Sequence, residues 1–316
     1  MLAATSRPST SFPATWIRAT AYETAWGDRL FDNYPREREI DAKSVSRMPQ
    51  TDRRRVRPTA CAGRFYPAEP DTLRRMVHDF LKSARPLVGP SPKAIIAPHA
   101  GYIYSGPIAG AAYAALSRDR DVIQRIVLLG PSHYAPLRGL ATSSAEAFAS
   151  PLGEVPLDRA AVQEAESLPH VTPSDGAHAP EHCLEVQLPF LQLVLGGFSL
   201  VPLLVGDATP EEVACVLAAL WGGPETRVIV SSDLSHYQGY HAAMALDATT
   251  ARAIESLRAD EVEDDGACGC RPIRGLLHQA RKVGLKAKTL DLRNSGDTAG
   301  PRDQVVGYGA FVFTEA

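Results

Sequence analysis

From residue 58 onward, short apolar runs alternate with longer segments whose apolar residues recur at helical spacing. The apolar runs predict buried strands at residues 94–97, 126–129, 201–205 and 227–230, and two more strands at 287–292 and 305–313. Helical spacing predicts helices at residues 72–83, 108–116, 159–167, 181–195, 210–221, 242–257 and 272–283. Strands that alternate with helices are typical of an α/β fold, in which helices cover the faces of a sheet.

The first 57 residues differ from the rest, because Ser, Thr, Pro and charged residues occur there without sustained periodicity. We predict a disordered N-terminal extension over residues 1–57 and a single α/β domain over residues 58–316. One alternative for the extension is an organelle transit peptide, which its acidic residues disfavour. Another is that translation starts at Met48, which the intact mass of the native protein would test.

Composition narrows the class of protein and the partners that it can bind. A hydrophobic fraction of 45% and a charged fraction of 22% are those of a globular protein with a core. The formal net charge of -3 provides no overall attraction to nucleic acid or to anionic lipid. No apolar stretch approaches the ~18 residues of a membrane span, and residues 1–20 lack a secretory signal. Five scattered cysteines do not form a disulfide framework, so we expect a cytoplasmic protein whose useful cysteines are metal ligands or nucleophiles.

Histidines follow three of the predicted strands close to the point where each strand ends. These are His99, His133 and His236, and Asp233 precedes the last of them by three residues. Side chains at the carboxyl ends of strands in an open α/β sheet meet in one crevice, which makes them candidates for a metal or acid/base site. The alternative for each histidine is a strand cap or a buried polar contact. Asp233 has three alternatives: a metal ligand, a residue that orients an imidazole, or a loop cap.

Two further clusters combine polar and sulfur-containing residues. If residues 181–195 are helical, His182 and Glu185 share one face and form a polar pair toward a cleft; the alternative is a solvated helix surface. Cys268 and Cys270 lie just before the last predicted helix, whose N-terminus stabilises a thiolate. Their spacing is not that of a zinc finger, and we treat the other three cysteines as small apolar residues. Motifs of P-loop, dinucleotide-binding, zincin and α/β-hydrolase proteins are absent from the sequence.

A series of short motifs occurs in a specific order along the chain. They are ACAGRFYP (60–67), PHAGY (98–102) with Ser105-Gly106, GPSH (130–133), Glu181-His182 through Pro189, SSD (231–233) with His236, Cys268-Gly269, NSGD (294–297) and VGYGA (306–310). Together, over about residues 58–313, they resemble the Memo family, including its bacterial branch called AmmeMemoRadiSam system protein B.

The resemblance implies a three-layer α/β/α sandwich similar to that of the LigB-type class III extradiol dioxygenases. It also implies a metal pocket of two histidines and one cysteine, here His99, His133 and Cys268. Further polar residues of the same cleft, which we expect to act as acid/base groups, are His182, Asp233 and His236. The family pattern has a basic residue at the position of Cys270, so both thiols stay candidate ligands.

Two hypotheses about function follow from this resemblance. In the first, the pocket holds iron and the protein is a non-haem oxidoreductase of the dioxygenase type, although a thiolate ligand shifts the preference toward copper. Zinc-dependent hydrolysis is less favoured. In the second, the protein is not an enzyme but buffers or transfers iron or copper, or binds a peptide partner. The resemblance further implies association with AMMECR-like and radical SAM proteins, and no partner among nucleic acids or membranes is expected.

Overall fold

The computed structural model describes residues 55–315 and contains a nine-stranded sheet, a small three-stranded sheet and helices on both faces of the larger one. The strands are β1 Val56–Arg57, β2 Ala94–Ala97, β3 Arg125–Pro131, β4 Leu140–Thr142, β5 Ala147–Ser150, β6 Gly153–Pro156, β7 Val171–Pro173, β8 Ser199–Val205, β9 Thr226–Ser231, β10 His236–Gln238, β11 Lys286–Asn294 and β12 Val305–Thr314. The helices are α1 Pro70–Ser83, α2 Tyr102–Ala114, α3 Arg159–Glu166, α4 Asp175–His178, α5 Leu188–Val194, α6 Pro210–Ala219, α7 Tyr240–Glu255 and α8 Cys270–Lys282. Short 3-10 helices occur at Ser117–Asp119, Glu185–Gln187, Ala259–Glu261 and Ser295–Asp297.

Four adjacent strands in the middle of the large sheet are parallel. The strand order is β10-β12-β2-β9-β3-β8-β4-β7, with β11 beside β12. The strands β2, β9, β3 and β8 run in the same direction and are buried along nearly their whole length. Burial on both faces explains their continuous apolar runs. Because these strands are parallel, their carboxyl ends lie at one edge of the sheet.

Alternate residues of the central strands face two different hydrophobic cores. Ile95 and Leu128 belong to the core that the sheet forms with α1, α2 and α5. Ile96 and Leu129 belong to the core on the opposite face, which contains residues of α3, α6, α7 and α8. Helices therefore cover both faces of the sheet, and the predicted three-layer α/β/α architecture is confirmed.

The strands predicted from apolar runs lie within two residues of their predicted ends, whereas two predicted helices, at 108–116 and 181–195, begin at other residues than predicted. Residues 181–184 of the helix predicted at 181–195 are not helical, and α5 begins only at Leu188. The Glu181 side chain accepts the main-chain N–H groups of His182 and Cys183 at 3.0 and 3.2 Å, which holds this stretch in a turn. Pro189, which has no N–H, lies in the first turn of α5.

The extension predicted over residues 1–57 falls almost entirely outside the described residues and stays a prediction there. Its last two residues, Val56–Arg57, form β1 and pair in parallel with β5. Within residues 55–315, no helix is both long and apolar enough to cross a membrane.

Candidate metal centre

Two imidazoles and a thiol from three separate elements lie next to one another at the carboxyl edge of the sheet. His99 follows β2, His133 follows β3, and Cys268 lies two residues before α8 begins. The ring centroids of His99 and His133 are 5.2 Å apart, and Cys268 Sγ lies 3.2 Å from His99 Nε2. The structure thus brings together the three side chains that the resemblance assigns to a metal pocket.

Hydrogen bonds around His99 determine which of its ring nitrogens carries a proton. Ser231 Oγ donates its single hydrogen to Cys183 O at 2.6 Å and accepts from Gln187 Nε2 at 2.7 Å. The same oxygen lies 2.9 Å from His99 Nδ1, and since its hydrogen is already used, it accepts this bond from Nδ1–H. Because Nδ1 keeps this proton, Nε2, the atom beside Cys268, is the nitrogen whose lone pair a metal ion could use. His99 is therefore arranged as an Nε2 ligand.

A buried carboxylate orients His133 in a similar way. Glu181 Oε1 lies 2.9 Å from His133 Nδ1, and Glu181 Oε2 accepts the main-chain N–H of His133 at 2.7 Å. An ionised carboxylate can only accept, so His133 Nδ1 carries a proton. Burial lowers the pKa of His133, but hydrogen bonds to Cys183, Cys268 and Glu181 outweigh this effect and hold the pKa well above 6.5. Without a metal, His133 also carries a proton on Nε2, which a bound metal ion would displace.

His182 supplies a third imidazole to the cluster. Its ring stacks on that of His133, with 4.8 Å between centroids and 19° between planes. One ligand atom from each of His99, His133 and His182 lies within 4.8 Å of the other two, so these three residues could also hold a metal ion. Burial and the neighbouring His133 charge keep the pKa of His182 well below 6.5. His182 is therefore a neutral imidazole.

The structure distinguishes the two candidate thiols. Cys268 Sγ lies beside His99, whereas Cys270 Sγ donates a hydrogen bond to Asp264 Oδ1 at 3.4 Å. Burial favours the neutral thiol of Cys268, but the charge of His99 and hydrogen bonds to His133 and His99 lower its pKa to about 6. Burial raises the pKa of Cys270 to about 11. At neutral pH Cys268 is therefore the thiolate, which is the form that binds metal ions.

Asp233 and His236 lie in the connection between β9 and β10. Asp233 Oδ1 accepts the main-chain N–H groups of His99 and Ala100 at 2.7 and 3.3 Å, so it anchors the loop that carries His99. Burial raises the pKa of Asp233 to about 6. His236 Nδ1 lies 2.8 Å from Leu234 O, a carbonyl that only accepts, so the neutral His236 ring keeps its lone pair on Nε2. Among residues 55–315, the groups of three ligand atoms that lie within 4.8 Å of one another contain neither of these side chains. They do not contain Cys268 either, whose contact with the imidazoles is the 3.2 Å approach to His99 Nε2.

The expected polar pair of His182 and Glu185 is wrong. Glu185 is fully buried, and its carboxylate accepts hydrogen bonds from Arg57 and Tyr66 at 2.6 Å each. Because residues 181–184 are not helical, the two side chains do not share a face. Through Arg57, Glu185 instead connects strand β1, at the N-terminal end of the described residues, to the 3-10 helix at Glu185–Gln187.

Sequence reasoning assigned no role to Glu181, Ser231 or Cys183, although all three lie beside the imidazoles. Cys183, expected to be an ordinary apolar residue, forms with Glu181 and His133 a second group of ligand atoms within 4.8 Å of one another. Its thiol donates to a main-chain carbonyl at 3.2 Å. These residues lie within or next to the motifs quoted above, which was the one indication of a role in the sequence. Their partners are distant along the chain, so the motifs did not show which contacts they make.

Comparison with known proteins identifies the family. A family model described as Memo-like protein matches residues 57–312. A MEMO1 family protein of Aeropyrum pernix is 37% identical over 287 residues, which cover 81% of this chain and 99% of that protein. A MEMO1 family protein of Aquifex aeolicus is 33% identical over 270 residues, which cover 82% and 99%, respectively. The crystal structure of an uncharacterized protein from Escherichia coli K12 matches with a TM-score of 0.45 and 14% identity, covering 69% of this chain and 98% of that one. The matched region and these identities show that this chain belongs to the Memo family.

Proposed function

We propose that the protein is a metal-dependent oxidoreductase in which His99, His133 and Cys268 ligate iron or copper. The observation that carries this proposal is the hydrogen bonding of the two imidazoles. Their Nδ1 atoms are engaged by Ser231 and Glu181, so both Nε2 atoms remain for a metal ion beside the Cys268 thiolate. Outer partners of this kind, which set the ring orientation and the tautomer, accompany histidine ligands in most metal proteins.

The chemistry of this donor set fits a transition metal. Imidazole nitrogen suits iron, copper and zinc, and a thiolate adds preference for soft ions such as Cu(I). Cys268 is already ionised at neutral pH, so metal binding does not have to remove a proton from a thiol of ordinary pKa. A bound iron or copper ion would supply one-electron redox chemistry, which zinc does not provide.

The side chains around the pocket supply groups that can bind a substrate and move protons. His182 is neutral and stacks on His133, so we assign it as an acid/base group. His236 keeps a free lone pair on Nε2, and Asp233 lies on the loop that leads to it. These three residues keep the acid/base roles expected from the resemblance.

Metal loading of the full chain under anaerobic conditions tests the ligand set. We expect stoichiometric uptake of Fe(II) or Cu(I), measured by mass spectrometry of the metal, and a sulfur ligand detected by X-ray absorption. Cys268→Ser should lower the metal affinity by more than about tenfold, the loss caused by removal of even an outer partner. Cys270→Ser is the matched control, since its thiol bonds to Asp264, and it should bind metal as the wild type does. Equal affinities of Cys268→Ser and the wild type would contradict the proposed ligands.

His182 is the alternative third ligand, because its ring lies as close to His99 and His133 as a shared metal ion requires. His182→Gln distinguishes the two roles. If His182 is an acid/base group, the variant keeps its metal and loses turnover. If it is a ligand, the metal affinity of His182→Gln falls by as much as the proposal expects for Cys268→Ser.

A second candidate function is metal binding without turnover, in a protein that buffers or transfers the ion or binds a peptide partner. It is favoured by burial, since His99 and His182 are each 2% exposed and offer little surface to an organic substrate. Oxygen uptake by the iron-loaded protein with catechol-type substrates separates the two functions. No uptake by a fully loaded sample would eliminate the dioxygenase version. Association with AMMECR-like and radical SAM proteins stays a prediction, which co-purification of the native protein would test.

A further inference from the structure

Two adjacent serines at the end of β9 point to opposite faces of the sheet. Successive side chains of a strand alternate between its faces, and in β9 Ile229 belongs to the core with α2, whereas Val230 belongs to the core with α8. By this alternation Ser231 lies on the side of Ile229, where it accepts a hydrogen bond from His99 Nδ1. Ser232 is fully buried on the side of Val230, against the N-terminal end of α8. The end of one strand therefore reaches two separate parts of the candidate metal centre.

The hydroxyl of Ser232 binds the main chain beside Cys268. Ser232 Oγ donates its single hydrogen to Asp233 O at 2.7 Å, which leaves its lone pairs for other donors. The main-chain N–H of Gly269 donates to this oxygen at 2.9 Å. Cys268 and Gly269 lie in a turn rather than in a helix or strand. This hydrogen bond therefore ties an irregular stretch of chain to the end of β9.

Ser232 and Gly269 are in close contact. A Cβ at position 269 would lie 2.7 Å from both Cβ and Oγ of Ser232, and 3.1 Å from Ser231 O. Gly269 is the N-cap of α8 and has no side chain that could cap this helix. The N–H groups at the start of a helix need acceptors, and Ser232 supplies one from 37 residues away along the chain.

The same contact determines where the sulfur lies. Cys268 Sγ is 3.9 Å from Ser232 Oγ, 3.6 Å from Asp233 O and 3.2 Å from His99 Nε2. Asp233 also accepts the main-chain N–H of His99 at 2.7 Å. The thiol and this imidazole are therefore both held against residues 231–233.

We infer that Ser232 is a positioning residue that holds Cys268 where its sulfur can bind the same metal ion as His99. The inference rests on the proposed function, because it requires Cys268 to be a metal ligand. Ser231 fixes the imidazole and Ser232 fixes the thiolate, from opposite faces of one strand end. Without the Ser232 hydroxyl, the buried N–H of Gly269 loses its acceptor, and the turn that carries the sulfur loses its fixed position.

Ser232→Ala in the full-length protein tests this inference, because it removes the acceptor and keeps the Cβ. Titration with Co(II) under anaerobic conditions gives the dissociation constant, and a charge-transfer band in the near ultraviolet reports a sulfur–cobalt bond. We expect the dissociation constant to rise at least about tenfold, as for other outer partners of metal ligands, and the band to weaken at full Co(II) loading. A role in stability alone would lower the melting temperature and leave this band unchanged.

Ser143→Ala is the matched control. Ser143 is 1% exposed, and its hydroxyl accepts the main-chain N–H of Ala145 at 3.2 Å and donates to Asp175 at 2.8 Å. This variant should melt at a lower temperature and bind Co(II) as the wild type does, with the same band. If Ser232→Ala does not fold, Gly269→Ala replaces it, because the added Cβ pushes the same two residues apart. It must then show the loss of affinity and the weaker band.

Equal dissociation constants and equal bands in Ser232→Ala and the wild type would overturn the inference and leave the metal centre intact. A loss of affinity with an unchanged band would also overturn it, since the sulfur would still be in place. If the wild type binds Co(II) without a sulfur band, or takes up no Co(II), the proposed function fails and this inference fails with it.

Discussion

Replacement of Glu181 by glutamine should weaken metal binding, because this carboxylate orients His133 and supports His182. It accepts hydrogen bonds from Nδ1 and the main-chain N of His133, and from the main-chain N–H groups of His182 and Cys183. Burial opposes its ionisation, yet the hydrogen bond and charge of His133 hold the pKa of Glu181 far below its usual value. The charged form is therefore the one that supports the imidazoles.

The expected loss follows from what a glutamine amide can accept. One of the two carboxylate oxygens becomes an NH₂ group, so some of the N–H donors would face another donor. Removal of an outer carboxylate partner of a metal ligand typically lowers metal affinity by about 10- to 100-fold, or roughly 1.4–2.7 kcal/mol. The free energy of unfolding of the metal-free protein should also fall, by about 1.5–3 kcal/mol for a lost hydrogen bond to a charged group.

Competition with a chelator under anaerobic conditions measures the affinity, and Glu185→Gln is the matched control. Glu185 is an equally buried carboxylate four residues away, and it pairs with Arg57 at 2.6 Å rather than with an imidazole. Its removal should lower the free energy of unfolding by about 3–5 kcal/mol, because it leaves a buried charge unpaired. The metal affinity of the folded control should stay close to that of the wild type. The reasoning is refuted if Glu181→Gln binds metal as tightly as the wild type, or if both variants lose affinity equally.

Two further changes test the geometry and the electrostatics of the fold. Gly269→Ala should weaken metal binding, because an added Cβ would lie 2.7 Å from Ser232 Oγ and must displace the chain beside Cys268. A metal affinity equal to that of the wild type in chelator competition would contradict this. His178 is buried, and burial lowers its pKa to about 4. Above pH 6.5 the folded and unfolded forms are both neutral at this position, but below it the unfolded form binds a proton first. Stability should therefore fall by up to about 3 kcal/mol as the pH drops from 6.5 toward 4. His178→Gln, which keeps a donor for Ala141 O, should lose correspondingly less stability between pH 7 and pH 4 in urea denaturation, and an equal loss in both proteins would speak against the assignment.

The central strands could be predicted because burial on both faces leaves a continuous apolar run in the sequence. The three-residue strands β4, β7 and β10 could not, since three residues are too few to show a period. Helix α2 begins at Tyr102, six residues before the predicted start at residue 108, and Pro107 lies inside it. Proline is usually confined to the first turn of a helix, so the sequence pattern favours a later start.

The position of the candidate site could be predicted, whereas the orientation of its side chains could not. His99 and His133 follow parallel strands, and parallel strands end at the same edge of a sheet. Their ring orientations depend on Ser231 and Glu181, which lie 132 and 48 residues away along the chain. Which donor meets which acceptor over such separations is determined only by the tertiary fold. The pairing of Glu185 with His182 was wrong for a related reason. Helical spacing predicts which residues share a face only where the chain is helical, and residues 181–184 are not.

A short segment, residues 181–187, supports both imidazoles although they come from different strands. Glu181 holds Nδ1 of His133, and Gln187 donates to Ser231 Oγ, which in turn accepts from Nδ1 of His99. A substitution at the end of one strand changes one ligand, but a displacement of this segment changes the orientation of both rings together. Since a metal ion bound as proposed needs both Nε2 lone pairs at once, its affinity should depend on Glu181 and Gln187 as well as on the ligands themselves.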